Sequence, residues 1–311
     1  MNILITGGAG FIGSNIVEYL CKNKLYTSIR ILDNLSTGKY FNIESFLNEY
    51  DNLEFMHGDI TNLETCRKAI QGIDLICHQA ALGSVPRSVN DPLASHLSNV
   101  NGFLHILIAA KESGIKRIVY ASSSSVYGDN PVLPKVEKDI GNLLSPYAAT
   151  KAIDEIYAGI FTRCYDMECI GLRYFNVFGP RQDPNGAYAA VIPKFISLMK
   201  AGKQPTIHGD GSFSRDFIYI DNVVQANILA LTTTNKECFG TAFNIGVGEQ
   251  TSILDMVHTI NIELKTNVQP ILGPNRQGDI PHSHADITKA RKLLGYKPTI
   301  DFNKGIKKFM I

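Results

Sequence analysis

The sequence predicts an α/β protein built on a doubly wound parallel sheet, with a smaller C-terminal α/β lobe. Three observations support this fold class. A strand-like run, Asn2–Thr6, leads directly into the closely spaced glycines of GGAGFIG. Strand and helix patterns then alternate to about residue 175, which is typical of a parallel sheet covered by helices on both faces. After residue 175, proline, glycine and asparagine become frequent and the strands shorten.

The alternation predicts the elements in order. The predicted strands are 2–6, 28–33, 53–57, 74–79, 117–122 and 168–174, and the predicted helices are 11–23, 62–71, 94–113 and 146–165, with an insertion at 34–52. Helices 190–201, 222–233 and 252–265 follow, and Ser252 with Asp255 resembles a capping box. We expect a first domain at 1–175, rejoined by part of 220–250, and a second lobe at 176–311.

The glycines of the first turn predict a Rossmann-like dinucleotide-binding unit. Gly7 allows the tight turn, Gly10 lets the backbone approach a pyrophosphate, and Gly13 lets the helix pack against its strand. The helix that begins at Phe11 points its N-terminal amides at the phosphates. A purely structural glycine turn is the alternative, but the motif follows a first strand and Asp33 lies twenty residues beyond Gly13.

Asp33 ends the second predicted strand. A carboxylate there accepts hydrogen bonds from both hydroxyls of an adenosine ribose and repels a 2′-phosphate, and no arginine follows in residues 34–38. The predicted cofactor is therefore NAD and not NADP. The alternative is an acidic residue that caps the following turn.

Composition excludes several classes of function. The chain of 311 residues is 44% hydrophobic, and its 30 basic and 29 acidic side chains leave a net charge of +1, without the basic run of a nucleic-acid-binding protein. The six cysteines form no CxxC pair, so we expect reduced thiols in a cytoplasmic protein. The histidines do not cluster at ligand spacing, and we expect no metal site, no signal peptide and no membrane segment.

A candidate catalytic pair lies at the start of helix 146–165. Pro146 suits the first helical turn, and Tyr147 and Lys151 are four residues apart, so their side chains share one face. A nearby ammonium favours the phenolate form, which allows a tyrosine to act as general base toward an alcohol. Ser123, at the end of the preceding strand, can hold the same alcohol oxygen. The alternative is an exposed pair without function.

Further polar residues follow other predicted strands. Asp59, Gln79 to Ala81 and Ser122 to Ser124 all lie at carboxyl ends, where open α/β sheets bind their ligands. We therefore expect one crevice lined by all of them.

These motifs together resemble the extended short-chain dehydrogenase/reductase family, and within it the nucleotide-sugar 4-epimerases. The resemblance spans about residues 2–309. Its supporting stretches are 33–35, 57–60, 78–81, 126–128, 173–180, 214–220 and 276–279. Stretches 80–88 and 181–188 further resemble the bacterial epimerases of UDP-N-acetylated hexosamines that serve surface polysaccharide synthesis.

The resemblance implies the residues of the site. Those implied to bind the cofactor are Gly7, Gly10, Phe11, Ile12, Gly13, Asp33, Asn34, Ser36, Thr37, Gly38, Asp59, Ile60, Gln79, Ala80, Ala81, Tyr147, Lys151 and Tyr174. Those implied to bind the substrate are Ser84, Ser123, Ser124, Tyr147, Asn176, Val191, Thr206, His208, Arg215, Arg276, Asp279 and Ser283. Catalysis is implied for Ser123, Tyr147 and Lys151.

The resemblance also implies a reaction. NAD takes the C4 hydride of a UDP-sugar while Tyr147 takes the hydroxyl proton, the 4-keto sugar turns over, and the hydride returns to the other face. Arg215 and Arg276 are the implied diphosphate anchors, with exposed salt bridges as the alternative. The related dehydratases and decarboxylases place acidic groups where this chain has Ser123 to Ser125, which favours epimerisation.

Substrate choice depends on Ser283 in this interpretation. In the epimerases, the corresponding position borders the C2 side of the sugar, and a small residue leaves space for an N-acetyl group. The expected substrate is UDP-GlcNAc or UDP-GalNAc, with a uronic acid form also open because Ser84, Ser124 and Arg87 suit a carboxylate. The alternative substrates are plain UDP-glucose and UDP-galactose. A less favoured alternative to an enzyme is an NAD-binding regulator without catalysis. The alternative for Ser283 is an ordinary loop serine. The family relationship further implies a homodimer formed by helices 94–113 and 146–165.

Overall fold

The computed structural model of the chain describes residues 1–184, 190–274 and 280–310. The strands are β1 (Asn2–Thr6), β2 (Ser28–Asp33), β3 (Leu53–His57), β4 (Leu75–His78), β5 (Arg117–Ser123), β6 (Glu168–Tyr174), β7 (Asn176–Phe178), β8 (Thr206–His208), β9 (Ser214–Arg215), β10 (Phe217–Tyr219), β11 (Thr241–Ile245), β12 (Thr251–Ser252), β13 (Ile271–Gly273) and β14 (His282–Ser283).

Helices connect these strands. They are α1 (Phe11–Lys22), α2 (Phe41–Glu49), α3 (Leu63–Ile70), α4 (Val85–Asn90), α5 (Pro92–His96), α6 (Gly102–Glu112), α7 (Pro146–Tyr165), α8 (Val191–Lys200), α9 (Ile220–Thr232), α10 (Ile253–Leu264), α11 (Thr288–Leu294) and α12 (Phe302–Met310). A π-helical turn, Leu97–Asn101, joins α5 to α6, and short 3-10 turns cover Ser124–Tyr127 and Lys236–Cys238. None of the helices in the described ranges is long and apolar enough to cross a membrane.

One parallel sheet of seven strands organises the molecule, in the order β11-β6-β5-β4-β1-β2-β3. The strand order reverses beside β1, which is where doubly wound sheets form their ligand crevice. The register pairs Thr6 with His78 and Ser123 with Tyr174, so the carboxyl ends of these strands meet at one edge. The predicted doubly wound parallel sheet is confirmed.

The two faces of this sheet bury different helices. Ile3 and Ile5 of β1 pack in one apolar cluster with Ile16 of α1, whereas Leu4 packs in the other with Ile106 of α6. Consecutive side chains of a strand point to opposite faces, so a strand buried on both faces has the continuous apolar pattern seen in residues 3–5.

Beyond β6 the chain forms three small sheets, β10-β7, β12-β9-β14 and β13-β8. Strand β11 nevertheless returns to the main sheet beside β6, and α9 packs against α1 and β5. Residues 220–245 thus pack with the seven-stranded sheet, while the predicted division into domains, at residue 175 with part of 220–250 rejoining the first domain, stays a prediction.

The structure differs from the sequence prediction in several elements, and α4, α11 and α12 were not predicted. The predicted helix 94–113 is interrupted by the π-helical turn, and the predicted insertion 34–52 contains α2, of which Ile43 and Phe46 are buried. The capping box is present, since Ser252 Oγ accepts a hydrogen bond from the amide of Asp255 (3.0 Å) and donates one to its carboxylate (2.6 Å). All six cysteines are free thiols, and Cys164 is the exposed one.

Candidate active site

The glycine turn between β1 and α1 is shaped for close approach of another backbone. Gly7 has φ +69°, and a Cβ there would lie 2.6 Å from the amide nitrogen of Ala80. A Cβ on Gly13 would collide with the carbonyl oxygen of Gly7. Gly10 offers no side chain to cap α1, so the first-turn amides stay available to an anion.

A cleft of about 260 Å³ opens above this turn. The sequence-predicted cofactor residues that line it are Gly7, Gly10, Phe11, Ile12, Gly13, Asp33, Asn34, Ser36, Thr37, Ile60, Gln79, Ala80 and Ala81. Leu32, Gly58, Leu82, Gly83 and Ser98 also line it and were not predicted. Most of the residues implied for the cofactor therefore surround one cleft.

Asp33 lies in this cleft at the end of β2 and is 7% exposed. Its two carboxylate oxygens accept hydrogen bonds from the amides of Ala9 (3.0 Å) and Leu35 (2.8 Å). Burial raises the pKa of Asp33, and these two amides oppose the rise. Each carboxylate oxygen has capacity for a second bond, so Asp33 can fix the turn and still bind ribose hydroxyls.

The remaining predicted cofactor residues, Gly38, Asp59, Tyr147, Lys151 and Tyr174, do not line the cleft. Gly38 packs against the carboxylate of Asp33, and Asp59 accepts a hydrogen bond from Asn34 Nδ2 (2.7 Å). Burial raises the pKa of Asp59, but bonds from Thr61 and Asn34 outweigh it, and the net shift is downward.

Tyr174 does not line the cleft but connects to its lining residue Gln79 through a buried polar network. Its hydroxyl donates to Gln79 Oε1 (3.1 Å) and accepts from Asn227 Nδ2 (2.9 Å). Gln79 Nε2 in turn donates to Asn227 Oδ1 (3.1 Å). The network holds the side chain of Gln79 at the edge of the cleft, and Asn227, from α9, was not predicted.

The N-terminus of α7 carries Tyr147 and is capped from two sides. Ser145 Oγ accepts from the amide of Ala148 (3.1 Å), and Ser88 Oγ, from α4, accepts from the amide of Tyr147 (3.0 Å). Two of the orphan amides of the first turn are therefore satisfied by side chains. The backbone of Tyr147 is fixed by the segment that follows β4.

A second connection joins the same elements. Asn99, in the π-helical turn, accepts from the amide of Leu82 (2.7 Å) and donates to Thr150 Oγ1 (3.0 Å). Thr150 Oγ1 donates to the carbonyl of Tyr147 (2.8 Å). The π-helical turn thus occurs where the chain bonds to the candidate catalytic helix, as such turns often do at functional sites.

The three predicted catalytic residues lie on two neighbouring elements. Tyr147 and Lys151 share one face of α7, with Tyr147 partly exposed and Lys151 2% exposed. Ser123 ends β5, and its hydroxyl accepts from the amide of Ser125 (3.1 Å). Helix α7 packs against both β5 and the 3-10 turn that begins at Ser124, so the elements that carry the three residues are in contact.

A larger cavity of about 890 Å³ adjoins the second lobe. The predicted substrate residues that line it are Ser84, Asn176, Val191, Thr206, His208 and Arg215. Its wall also includes apolar side chains that were not predicted, among them Phe178, Phe195, Phe213, Phe217 and Ile253. Such a cavity, apolar with a few polar groups, is typical of small-molecule sites.

The other predicted substrate residues are not among those that line this cavity. Ser123, Ser124, Tyr147 and Ser283 do not line the 890 Å³ cavity. Ser283 lies on β14, where the parallel register pairs it with Arg215 of β9. Arg276 and Asp279 lie outside the described residues.

Comparison with known proteins decides the family. The model of the NAD dependent epimerase/dehydratase family matches residues 3–246. The chain belongs to this family. This match and the relatives described next confirm three predictions. These are the extended dehydrogenase/reductase family, a nucleotide-sugar 4-epimerase as the enzyme class, and NAD as the cofactor.

The epimerase has similar relatives along its whole length. It is 37% identical to the UDP-glucose 4-epimerase of Mycolicibacterium smegmatis, over 99% of this chain and 97% of the relative. The structure of the UDP-N-acetylglucosamine 4-epimerase from Methanobrevibacter ruminantium, in complex with UDP-N-acetylmuramic acid, is 39% identical with a TM-score of 0.92, covering 99% and 96% of the two chains. The UDP-glucuronic acid 4-epimerase from Bacillus cereus, in complex with UDP-glucuronic acid and NAD, is 33% identical with a TM-score of 0.89, covering 99% and 98%.

The residues of the glycine cleft fit NAD. The turn at Gly7 and Gly13 admits no Cβ, the first amides of α1 suit a pyrophosphate, and the buried carboxylate of Asp33 suits ribose hydroxyls. Bound there, NAD supplies a hydride acceptor that returns the hydride in the same turnover.

Proposed function

We propose that the epimerase interconverts the C4 epimers of a UDP-linked N-acetylated hexosamine, UDP-GlcNAc and UDP-GalNAc. The main structural support for this substrate is the pairing of Ser283 with Arg215 in neighbouring strands. Paired residues of parallel strands point to the same face, so the short serine side chain stands beside the arginine that lines the cavity. A small residue at this place leaves room for an acetamido group.

Tyr147 is the proposed general base and acid. It takes the proton of the C4 hydroxyl and later returns it, while Ser123 holds the same oxygen by a hydrogen bond. Lys151 favours the phenolate by its positive charge. The capped N-terminus of α7 keeps the tyrosine backbone in place during both steps.

Arg215 is the proposed anchor of the diphosphate. A guanidinium forms paired, charge-assisted bonds to phosphate oxygens. The backbone of Arg215 is held between β12 and β14, and its Nη1 donates to the carbonyl oxygens of Ser214 (2.9 Å) and Pro281 (3.1 Å). A fixed arginine can retain the nucleotide while the sugar turns over.

Plain UDP-hexoses are the second candidate. The similarity to the UDP-glucose 4-epimerase of M. smegmatis, which covers nearly the whole of both chains, favours it. The two candidates share the cofactor, the catalytic residues and the UDP anchor. They differ in the space that the group at C2 of the sugar requires, since an acetamido group is larger than a hydroxyl.

We also propose a homodimer through α5, α6 and α7. These helices pack together and expose large apolar side chains, including Leu93 of α5 (66% exposed) and Ile156 of α7 (61%). Leu97, in the π-helical turn between α5 and α6, is also exposed (41%). Exposed apolar surface of this kind marks protein interfaces. The mass of the protein in solution tests the proposal.

The direct test compares three substrates. Purified protein is incubated without added cofactor with UDP-GlcNAc, UDP-Glc or UDP-GlcNAcA, and the C4 epimers are separated. We expect kcat/KM to be highest for UDP-GlcNAc. Preference for UDP-Glc would establish the second candidate, and preference for UDP-GlcNAcA would establish the uronic acid form.

A further inference from the structure

A carboxylate lies on the buried face of α7 without a part in the proposed chemistry. Tyr147, Lys151 and Asp154 follow at intervals of four and three residues, so they share one helix face. Asp154 is 1% exposed, and the next residues on this face are the buried Ala158 and Phe161. A charge in such surroundings costs free energy unless it is paired.

Its observed partner is the candidate catalytic lysine. Lys151 Nζ donates to Asp154 Oδ2 (3.2 Å), and both side chains are 2% exposed. Within the part of the chain that the structure describes, Asp154 Oδ1 has no hydrogen-bond partner. Burial raises the pKa of Asp154, and the ammonium of Lys151 opposes that rise without cancelling it, so the net shift is upward. Among the described residues, the Asp154 carboxylate therefore accepts a hydrogen bond from the Lys151 ammonium and from no other side chain.

Groups on the neighbouring strands do not compete for this role. His78 of β4 is held through Nδ1 by Thr6 (2.8 Å), and burial, with the charge of Lys151, lowers the pKa of His78 to about 3. Tyr120 of β5 is buried, which raises its pKa well above the usual range. Both are neutral near pH 7.

The adjacent carboxylate on α7 is already paired. Glu155 receives hydrogen bonds from Arg173 Nε (2.8 Å) and Nη2 (2.7 Å), and Ser122 donates a third (2.5 Å). Its charge is balanced by the arginine of β6. Among the described residues, Asp154 is thus the carboxylate that forms an ion pair with Lys151.

We propose that Asp154 is a positioning residue that keeps the Lys151 ammonium protonated and fixed on the face of α7 that carries Tyr147. The inference rests on the proposed roles of Tyr147 and Lys151. A fully buried ammonium without a counter-charge loses its proton readily. A neutral lysine would no longer favour the phenolate, so Tyr147 would ionise only at higher pH.

The first test is the pH profile of kcat/KM in Asp154→Asn, which keeps the shape and removes the charge. We expect the acid limb to move upward by about one pH unit, with activity near neutral pH reduced about tenfold and partly recovered at alkaline pH. Asp166→Asn, at the exposed end of the same helix, is the matched control and keeps the wild-type profile. An unmoved limb, or a limb moved to lower pH, overturns the proposal.

The second test does not depend on activity. In Asp154→Asn the folded protein releases the lysine proton at a pH where the unfolded chain retains it. The unfolded state then binds more protons, so the free energy of unfolding rises with pH across that window, relative to a variant that lacks both Lys151 and Asp154. The double variant Lys151→Met/Asp154→Leu removes both charges and shows no such rise.

The two tests separate the inference from the proposed function. If Asp154→Asn unfolds with the pH dependence of the double variant, the inference fails whatever Tyr147 does. If Tyr147→Phe retains full activity, the proposed chemistry fails, and the unfolding measurement alone decides whether Asp154 keeps Lys151 charged.

Discussion

The hydroxyl of Ser88 accepts a hydrogen bond from the backbone amide of Tyr147 across 3.0 Å, and it donates one to the carbonyl of Val85 (2.8 Å). Ser88 is fully buried between α4 and α7. One side chain therefore connects the segment after β4, which contributes Ser84 to the large cavity, with the candidate catalytic residue.

Ser88→Ala should reduce both stability and turnover. The variant leaves the amide of Tyr147 without its acceptor, which costs about 1–3 kcal/mol in the free energy of unfolding. A small displacement of Tyr147 should lower kcat about tenfold. Ser95→Ala is the control, because the buried Ser95 hydroxyl donates within its own segment, to Asp91 (3.0 Å). Wild-type kcat in Ser88→Ala would contradict this role.

Tyr147→Phe should abolish most of the activity without unfolding the protein. The substitution keeps the ring and the backbone amide and removes the hydroxyl, so kcat should fall by at least ~10²-fold, the scale of general acid-base catalysis. Circular dichroism and UDP binding should be unchanged. Near-normal turnover would exclude Tyr147 as the base.

Gly13→Ala should prevent NAD retention. A Cβ at this position would collide with the carbonyl oxygen of Gly7 and lie 2.8 Å from the Cα of Gly8, so the glycine turn must shift. The NAD released from denatured protein should drop well below one equivalent. In Gly273→Ala, the matched control, the added Cβ meets its nearest atom at 3.4 Å, an ordinary contact. Full NAD content in Gly13→Ala would show that the turn tolerates a side chain.

Ser283→Tyr should shift substrate preference. A phenol ring beside Arg215 would occupy the space proposed for the acetamido group, and overpacking costs about 1–3 kcal/mol, or one to two powers of ten in rate. The ratio of kcat/KM for UDP-GlcNAc to that for UDP-Glc should fall by this factor. Ser283→Ala should leave the ratio unchanged. If the tyrosine also leaves it unchanged, Ser283 does not border the sugar.

The nucleotide-binding half could be predicted because its signals are local. The apolar strands, the glycine spacing and the acidic residue at the end of β2 are read from short windows, and most of the cofactor residues implied by the resemblance line one cleft. Helix α2 was missed because Ile43 and Phe46 are its only buried residues. Two buried positions, one helical turn apart, give too weak a pattern to recognise.

The connections that hold the site together could not be predicted in this way. Ser88 and Asn99 act on Tyr147 and Thr150 across separations of 59 and 51 residues, and a buried serine or asparagine has no distinctive pattern in sequence. The stretch 80–88 did contribute to the family resemblance, so Ser88 was within a recognised motif. What it bonds to depends on how α4 packs against α7.

The proposed reaction is C4 epimerisation of UDP-GlcNAc with a cofactor that is regenerated in each turnover. The most direct measurement uses UDP-GlcNAc deuterated at C4, incubated with purified protein without added NAD and analysed by mass spectrometry and by absorbance of NADH. We expect UDP-GalNAc that retains the deuterium at C4, with no NADH accumulating. Loss of the deuterium to solvent, a product that has lost water, or a requirement for stoichiometric NAD would contradict it.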